Sequence, residues 1–320
     1  MTVGKGSAVK GGRTTGIRAM RANALLLITA MIWGFAFVAQ RVGMDYVGPF
    51  TFNAVRFAIG SLSLVPLIRA TRKRRDHRAP WPVLLKGGVV AGVVLFAGAS
   101  LQQVGMVTTT AGKAGFITGL YVVLVPLMGL VWGQRVSGLT WLGAVLAVVG
   151  LYFLSVTERL TVQTGDLWVL LGALGWTIHV HLIDRLTARI DPLPLASVQF
   201  AVCSLLSFVV ALSRESVTMA ALSDALLPIL YGGFMSVGVA YTLQVVAQRD
   251  AHPTPAAIIM SLESAFAAVG GGVMLGEDLG VRGTLGAALM LTGMVMAQVR
   301  RPRSVMAPKN SPQRETEPSH

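Results

Sequence analysis

The sequence predicts an all-α membrane protein with ten transmembrane helices, arranged as two inverted-topology repeats of five helices each. Three observations predict this fold: an apolar composition, ten apolar runs of membrane-spanning length, and an internal repeat. Of the 320 residues, 53% are hydrophobic and only 13% are charged, and the mean hydropathy is +0.66. Soluble domains carry about 25% charged residues, so the composition excludes a predominantly soluble protein.

Ten apolar runs follow one another along the chain, and each approaches the roughly 20 residues that a helix needs to cross the hydrocarbon core. The predicted spans are residues 22–40, 50–69, 83–104, 114–133, 139–156, 166–183, 193–213, 225–246, 255–275 and 281–299. The connections between them are short. Consecutive helices are therefore predicted to be antiparallel neighbours.

Basic residues predict the orientation of the spans. They concentrate in an N-terminal tail (1–21), in the loop after the second span, and in a C-terminal tail (300–320). Ten spans place all three regions on one side, and basic loops mark the cytoplasmic side. We therefore predict that both termini are cytoplasmic in a bacterial inner membrane. The net charge of +13 is explained by this topology and predicts no nucleic-acid partner.

The second half of the chain repeats the first at an offset of 143 residues. The clearest pairs are Trp33 with Trp176, Pro49 with Pro192, and Phe57 with Phe200. Each repeat, 22–156 and 166–299, holds five spans. Because five is odd, the second repeat enters the membrane upside down. Inverted repeats are typical of secondary transporters, which bind substrate near the midplane between the halves. The pattern therefore predicts alternating access.

Several motifs resemble those of one transporter family. They are Trp33-Gly34 in the first span, Arg56-Phe57 in the second, Leu120-Tyr121 through Pro126 in the fourth, and Leu262-Glu263 in the ninth. Together with the ten spans and the repeat, they resemble the EamA-type transporters of the drug/metabolite transporter superfamily. The resemblance implies export or exchange of a small metabolite, amino acid or drug across the cytoplasmic membrane, by a carrier that needs no cofactor.

Glu263 lies in the middle of the ninth apolar run, which offers it no basic neighbour. A charged carboxylate is costly at that depth, and intramembrane ionisable residues usually have a function. One hypothesis is that Glu263 takes up and releases a proton and so couples proton movement to transport. Another is that it pairs with a cationic substrate. The structural alternative is a protonated carboxyl group that hydrogen-bonds a neighbouring helix.

Arg56 lies about two turns into the second span. Its guanidinium is always charged and donates in a fork, so it can hold a substrate carboxylate. Alternatively, the side chain extends to the outer interface or bonds exposed carbonyl groups. Its repeat partner is Gln199, which indicates that the position faces protein rather than lipid.

Two histidines lie in the sixth span. His179 and His181 are two residues apart, so they point in nearly opposite directions on a helix and cannot chelate one metal ion from one face. We expect one to face the bundle and the other the cytoplasmic interface. His179 follows Trp176 by one turn, so it is a candidate for the cavity.

The remaining candidates are polar or aromatic residues within spans. Gln102, Tyr121, Tyr241 and Gln244 can supply polar contacts, with Trp33 and Trp176 as walls of the cavity. The repeat pairs Trp33 with Trp176 and, at a shift of one residue, Gln102 with Gln244. Both pairs are therefore expected on opposite sides of the pseudo-two-fold axis.

Other functions remain as alternatives. The chain contains no phosphate-binding loop, zinc-protease motif or nucleophile elbow. A lipid-modifying enzyme would need Glu263 beside His179 or Arg56, and a channel would need a continuous polar lining. Glycine pairs four residues apart, such as Gly88 with Gly92, indicate close helix packing. That packing is either within one subunit or across a homodimer face.

Overall fold

The structure is a computed structural model that describes residues 7–71, 79–109, 111–134, 136–155, 163–267, 269 and 280–298. Every regular element in these ranges is helical. The helices of the first half are α1 (Ser7–Gly43), α2 (Pro49–Ala70), α3 (Trp81–Gly105), α4 (Ala111–Gly119), α5 (Tyr121–Val131) and α6 (Gly138–Ser155). Those of the second half are α7 (Thr164–Thr187), α8 (Pro192–Arg214), α9 (Met219–Asp224), α10 (Leu226–Leu230), a π-helical segment (Tyr231–Tyr241), α11 (Thr242–Ala247), α12 (Pro253–Met260), α13 (263–267) and α14 (Gly280–Gln298).

The described part of the chain contains eight helical stretches long and apolar enough to cross a membrane, and the protein is therefore a multi-pass membrane protein. These stretches match eight of the ten predicted spans. The predicted fifth span corresponds to α6, whose apolar part, Gly138–Phe153, is shorter. The predicted ninth span begins with α12 and α13, but its last third lies largely outside the described residues. Ten spans thus remain a prediction.

Helix α1 starts earlier than its predicted span. It begins at Ser7, inside the segment that the sequence assigns to the N-terminal tail. Once a helix has formed, each added residue contributes a hydrogen bond at little further cost. The first proline of the chain is Pro49, so no proline stops the helix from extending beyond its apolar part.

The predicted fourth and ninth spans are each interrupted rather than continuous. The first break is at Leu120, after Gly119, where the backbone forms tighter i→i+3 bonds. Glycine has low helix propensity. The second break follows Met260, where the Ser261 hydroxyl donates to the Ile258 carbonyl at 2.9 Å, a local bond that competes with the helix ladder. Each break is followed by a new helix, α5 and α13.

The predicted eighth span is also irregular. Its middle forms an eleven-residue π-helix, a rare conformation that often marks functional sites. Glycine allows α2 to approach closely, since a Cβ atom on Gly233 would lie 2.7 Å from the Ile59 Cβ. Helix α1 also holds this segment, because Trp33 Nε1 donates to the Ser236 carbonyl at 3.3 Å.

The contacts between helices are similar in the two halves. When each helix is replaced by its counterpart in the other half, the same pairs of helices are largely in contact. Helix α6 packs against α14, and α2 packs against α8. Helix α1 contacts the π-helical segment and α12, while its counterpart α7 contacts α3 and both α4 and α5. The Gly88 and Gly92 pair faces Val198 and Val202 of α8. These two glycines therefore serve packing within the subunit.

Helices α6 and α14 approach each other at glycine positions. A Cβ atom on Gly143 would lie 2.5 Å from the Gly293 carbonyl oxygen, and one on Gly293 would lie 2.5 Å from the Gly143 oxygen. Because the obstructing atoms belong to the backbone, they cannot rotate away. Small residues let helix backbones pack closely in lipid, where no hydrophobic drive between helices exists.

We therefore expect Gly143→Ala and Gly293→Ala each to lower the free energy of unfolding by about 1–3 kcal/mol through overpacking. Gly138→Ala in the same helix is the matched control, because no atom lies within 4 Å of its added Cβ. Thermal unfolding in detergent, followed by size-exclusion chromatography, measures the effect. Equal midpoints for Gly143→Ala and Gly138→Ala would contradict the close packing.

Candidate functional site

A cavity lies inside the helical bundle. Residues from both halves of the chain line it. They are Trp33, Phe37, Gln40, Arg56, Gln102, Thr118, Tyr121, Trp176, Val180, Ser236, Tyr241, Gln244, Met260 and Glu263. Eight of the nine candidates predicted from the sequence are in this lining, and His179 is the exception.

Aromatic rings form much of the cavity wall. The Tyr241 ring lies edge-on to Trp33, with 4.5 Å between the ring centroids. Its centroid is 5.9 Å from that of Trp176. The two tryptophans are repeat partners, so equivalent positions of the two halves meet the same tyrosine. Tyr241 is the last residue of the π-helical segment, which positions it in the bundle.

The two repeat-related glutamines also line the cavity. Trp176 Nε1 donates to Gln102 Oε1 at 2.7 Å, and the Thr118 hydroxyl is 3.5 Å from the same oxygen. Gln244 is 2% exposed, and its Oε1 has no hydrogen-bond partner among the residues described. An acceptor left unpaired in an apolar wall is available to a ligand.

Glu263 is 4% exposed and is the first residue of α13, directly after the second break. Tyr121 is the first residue of α5, after the first break. The Tyr121 hydroxyl lies close enough to the Glu263 carboxyl group to hydrogen-bond it, and neither this hydroxyl nor Glu263 Oε1 has another partner in the described part of the chain. A hydrogen-bonded structural role and a proton-exchange role for Glu263 both stay predictions.

Arg56 is buried, with 2% of its surface exposed, so the alternative in which it extends to the outer interface is wrong. Its Nε donates to Asn53 Oδ1 at 3.0 Å, and its Nη1 donates to Gln40 Oε1 at 2.9 Å. The guanidinium carbon lies 5.4 Å from the Phe52 ring centroid and 5.0 Å from that of Phe57. Side-chain amides and aromatic rings therefore hold the group in the bundle.

The expectation that one of the two histidines faces the interface is also wrong. His179 and His181 are 0% and 1% exposed. The Nε2 of His179 is 2.9 Å from the Gln199 Oε1, and the Nε2 of His181 is 2.9 Å from the Val125 carbonyl. Both rings are buried because α7 packs between α3 on one side and α4 and α5 on the other.

Sequence reasoning missed two polar residues at the Arg56 end of the cavity. Gln40 lines the cavity, and Asn53 supports Arg56 from one turn earlier on α2. A signal was available, because both are polar residues within apolar runs, where an unsatisfied amide is costly. The role of Gln40 could not be inferred, since its contact with Arg56 joins α1 to α2. Asn53 lies one turn from Arg56 on the same helix, so its contact was open to inference from spacing.

Three comparisons relate the chain to known proteins. The family model of the EamA-like transporter family matches residues 20–156 and again residues 163–298. An uncharacterized transporter of Archaeoglobus fulgidus is 31% identical over 290 residues, which cover 90% of this chain and 89% of that protein. The threonine/homoserine exporter RhtA of Escherichia coli is 29% identical, with 80% of this chain and 83% of RhtA covered.

A solved crystal structure has the same fold. The TM-score is 0.72 at 18% sequence identity, and the match covers 87% of this chain and 96% of that one. At this identity the likeness supports the helical arrangement and says nothing about the substrate.

The contact between Trp176 and Gln102 gives a stability prediction. Gln102→Leu leaves the indole N–H unpaired, so we expect it to lower the free energy of unfolding by about 1 kcal/mol. In a Trp176→Phe background the same change should cost less, because no donor remains to be satisfied. A double-mutant cycle in mixed micelles, followed by near-UV circular dichroism, measures the coupling. Additive effects of the two changes would contradict the hydrogen bond.

Proposed function

Because the chain belongs to the EamA-like transporter family, we propose that it is a secondary transporter that exports or exchanges a small molecule through the central cavity. The observation that carries this proposal is the composition of that cavity. It lies among helices of both halves, is walled by aromatic rings, and contains one carboxyl group and one guanidinium. A channel would instead need a continuous polar lining.

Alternating access follows if the ten spans form two inverted repeats. Three observations support that arrangement. The family model matches each half separately, the helix contacts are nearly unchanged when the halves are exchanged, and helix breaks occur at equivalent positions of the fourth and ninth spans. Rocking of one half against the other then exposes the cavity to each side in turn. A gradient of substrate or ion supplies the energy.

Glu263 is the proposed coupling residue. The titratable groups around it are Tyr121 and Tyr241, and no cation lies within 4.0 Å of its carboxyl group among the described residues. Without a fixed counter-ion, the charged form is costly in low dielectric. The carboxyl group can therefore bind a proton when the cavity opens to one side and release it on the other.

Orientation and substrate complete the proposal. The basic flanks favour a cytoplasmic location for both termini in a bacterial cell, and export is the direction that the name of RhtA suggests. Threonine and homoserine, which are named in that relative's title, are the first substrates to test.

Transport can be tested with purified protein in liposomes. We expect counterflow, in which unlabelled threonine or homoserine trapped inside drives transient accumulation of the labelled compound. If neither compound responds, a thermal-shift screen of amino acids, amines and nucleosides selects others, because a ligand that binds the folded state raises its stability. Flux that never saturates would indicate a channel, and a chemically altered product would indicate an enzyme.

Coupling can be tested with Glu263→Gln, which keeps the size of the side chain and removes its proton exchange. We expect uptake driven by a pH gradient to disappear, while counterflow without a gradient persists. Asp45→Asn is the matched control, because Asp45 is exposed and pairs with Arg41 on the surface. Gradient-driven transport that survives Glu263→Gln unchanged would rule out coupling through this residue.

A further inference from the structure

We propose that Arg56 forms an anion site in the cavity wall that binds the carboxylate of a small organic molecule. The proposal rests on the transport function of the same cavity and adds a chemical class for its substrate. Only one of the lining residues carries a fixed positive charge, and that residue is Arg56. The site is therefore suited to a single negative charge.

The positive charge of Arg56 has no counter-ion within the described residues. The only ion pair found there within 4.0 Å joins Arg41 to Asp45 on the surface. The groups that influence the guanidinium electrostatically are Tyr241 and Cys203, and neither is a carboxylate. Buried charges are normally paired, so an unpaired guanidinium in a cavity wall indicates that a ligand supplies the partner.

The hydrogen bonds of Arg56 hold it without neutralising it. Both acceptors are amide oxygens, those of Asn53 and Gln40. Gln40 is fixed in turn, because its Nε2 donates to the Ala36 carbonyl at 3.1 Å. Since a guanidinium has five N–H donors and no acceptor, two bonds leave donors for a further acceptor. Asn53 and Gln40 are thus positioning residues for the site.

The residue at position 53 is asparagine, whereas an aspartate there would pair with Arg56. Its Oδ1 must face Arg56, since the guanidinium only donates. Its Nδ2 is then left without a partner among the residues that the structure describes. An aspartate of the same shape would remove that unpaired N–H₂ group and neutralise Arg56 at 3.0 Å. Asparagine leaves the charge available.

The surroundings favour a carboxylate with an apolar body over a strongly hydrated inorganic anion. The faces of Phe52 and Phe57 flank the guanidinium, and the nearby walls are the rings of Trp33, Trp176 and Tyr241. A planar carboxylate matches the guanidinium fork, and aromatic walls bury the carbon atoms. A phosphate dianion would keep an unpaired charge in this apolar space.

Arg56 and Glu263 both line the cavity, and no ion pair within 4.0 Å joins them in the part of the chain that the structure describes. Tyr241 is within electrostatic range of both groups, whereas neither group is among those that influence the other. A substrate carboxylate on Arg56 therefore leaves Glu263 able to exchange a proton or meet a second substrate group.

Binding measurements on the purified protein test the anion site. Isothermal titration calorimetry compares 3-phenylpropionate with 3-phenylpropionamide, which has the same body without the charge, and with sodium chloride and sodium phosphate. We expect the acid to bind more tightly than its amide and than either inorganic anion. Asn53→Asp and Arg56→Gln should each raise the dissociation constant of the acid about tenfold or more, with little change for the amide.

Asn53→Asp is the decisive variant because it keeps Arg56 and the shape of its neighbour, and its thermal midpoint should be at least that of the native protein. Arg41→Gln removes one exposed positive charge and controls for binding at the surface. If the acid and amide bind equally to the native protein, or if Asn53→Asp binds the acid as the native protein does, the anion site is disproved.

The result of the binding measurements can be distinguished from the result of the transport assay. Arg56-dependent binding of the acid, together with no counterflow of that acid or of any compound selected by the thermal-shift screen, would disprove the transporter and leave the anion site standing. Counterflow that is unchanged in Asn53→Asp would disprove the anion site and leave the transporter standing.

Discussion

The cost of an unsatisfied polar or charged group in hydrocarbon governs this structure. Groups that cannot face lipid must face one another or a cavity. Arg56, Glu263 and the repeat-related glutamines all lie along one cavity in the bundle, and all are nearly inaccessible to solvent. Leucine and valine side chains cover much of the outer surface instead. The cost of exposing polar groups to lipid therefore determines which helix faces are buried, and it also brings the polar and charged side chains together along one cavity.

Departures from regular helix place the chemistry within that cavity. In a continuous helix every backbone N–H and C=O group is used in i→i−4 hydrogen bonds. At a break the chain can change direction before a new helix begins. Tyr121 and Glu263 each begin the helix that follows a break, and Tyr241 ends the π-helical segment. Three of the lining residues thus stand where regular structure stops or resumes.

The sequence predicts the contents of the site better than its geometry. Glu263, Arg56 and Gln102 can be selected from the sequence because they are polar residues within apolar runs, and for Gln102 also because the repeat pairs it with a second glutamine. In a membrane such residues must face the protein interior or a cavity rather than lipid. The helix breaks were not predicted, since hydropathy does not register an i→i+3 turn. The burial of His181 was missed for another reason: it depends on α5 covering α7, and helix periodicity alone does not reveal which neighbour covers a face.

Arg56 and Glu263 form no ion pair with each other among the described residues, and this matters for a carrier. If the two groups formed an ion pair, each would satisfy the other, and the empty cavity would be the stable state. With no such ion pair within 4.0 Å among the described residues, the proposed ligand on Arg56 and the proposed proton on Glu263 would each relieve the cost of a buried charge. Occupancy then changes the energy of the cavity substantially, which is what a carrier needs if its loaded and empty forms are to move differently. The amide oxygens around Arg56 serve this purpose, because they fix the position of the charge while leaving it uncompensated.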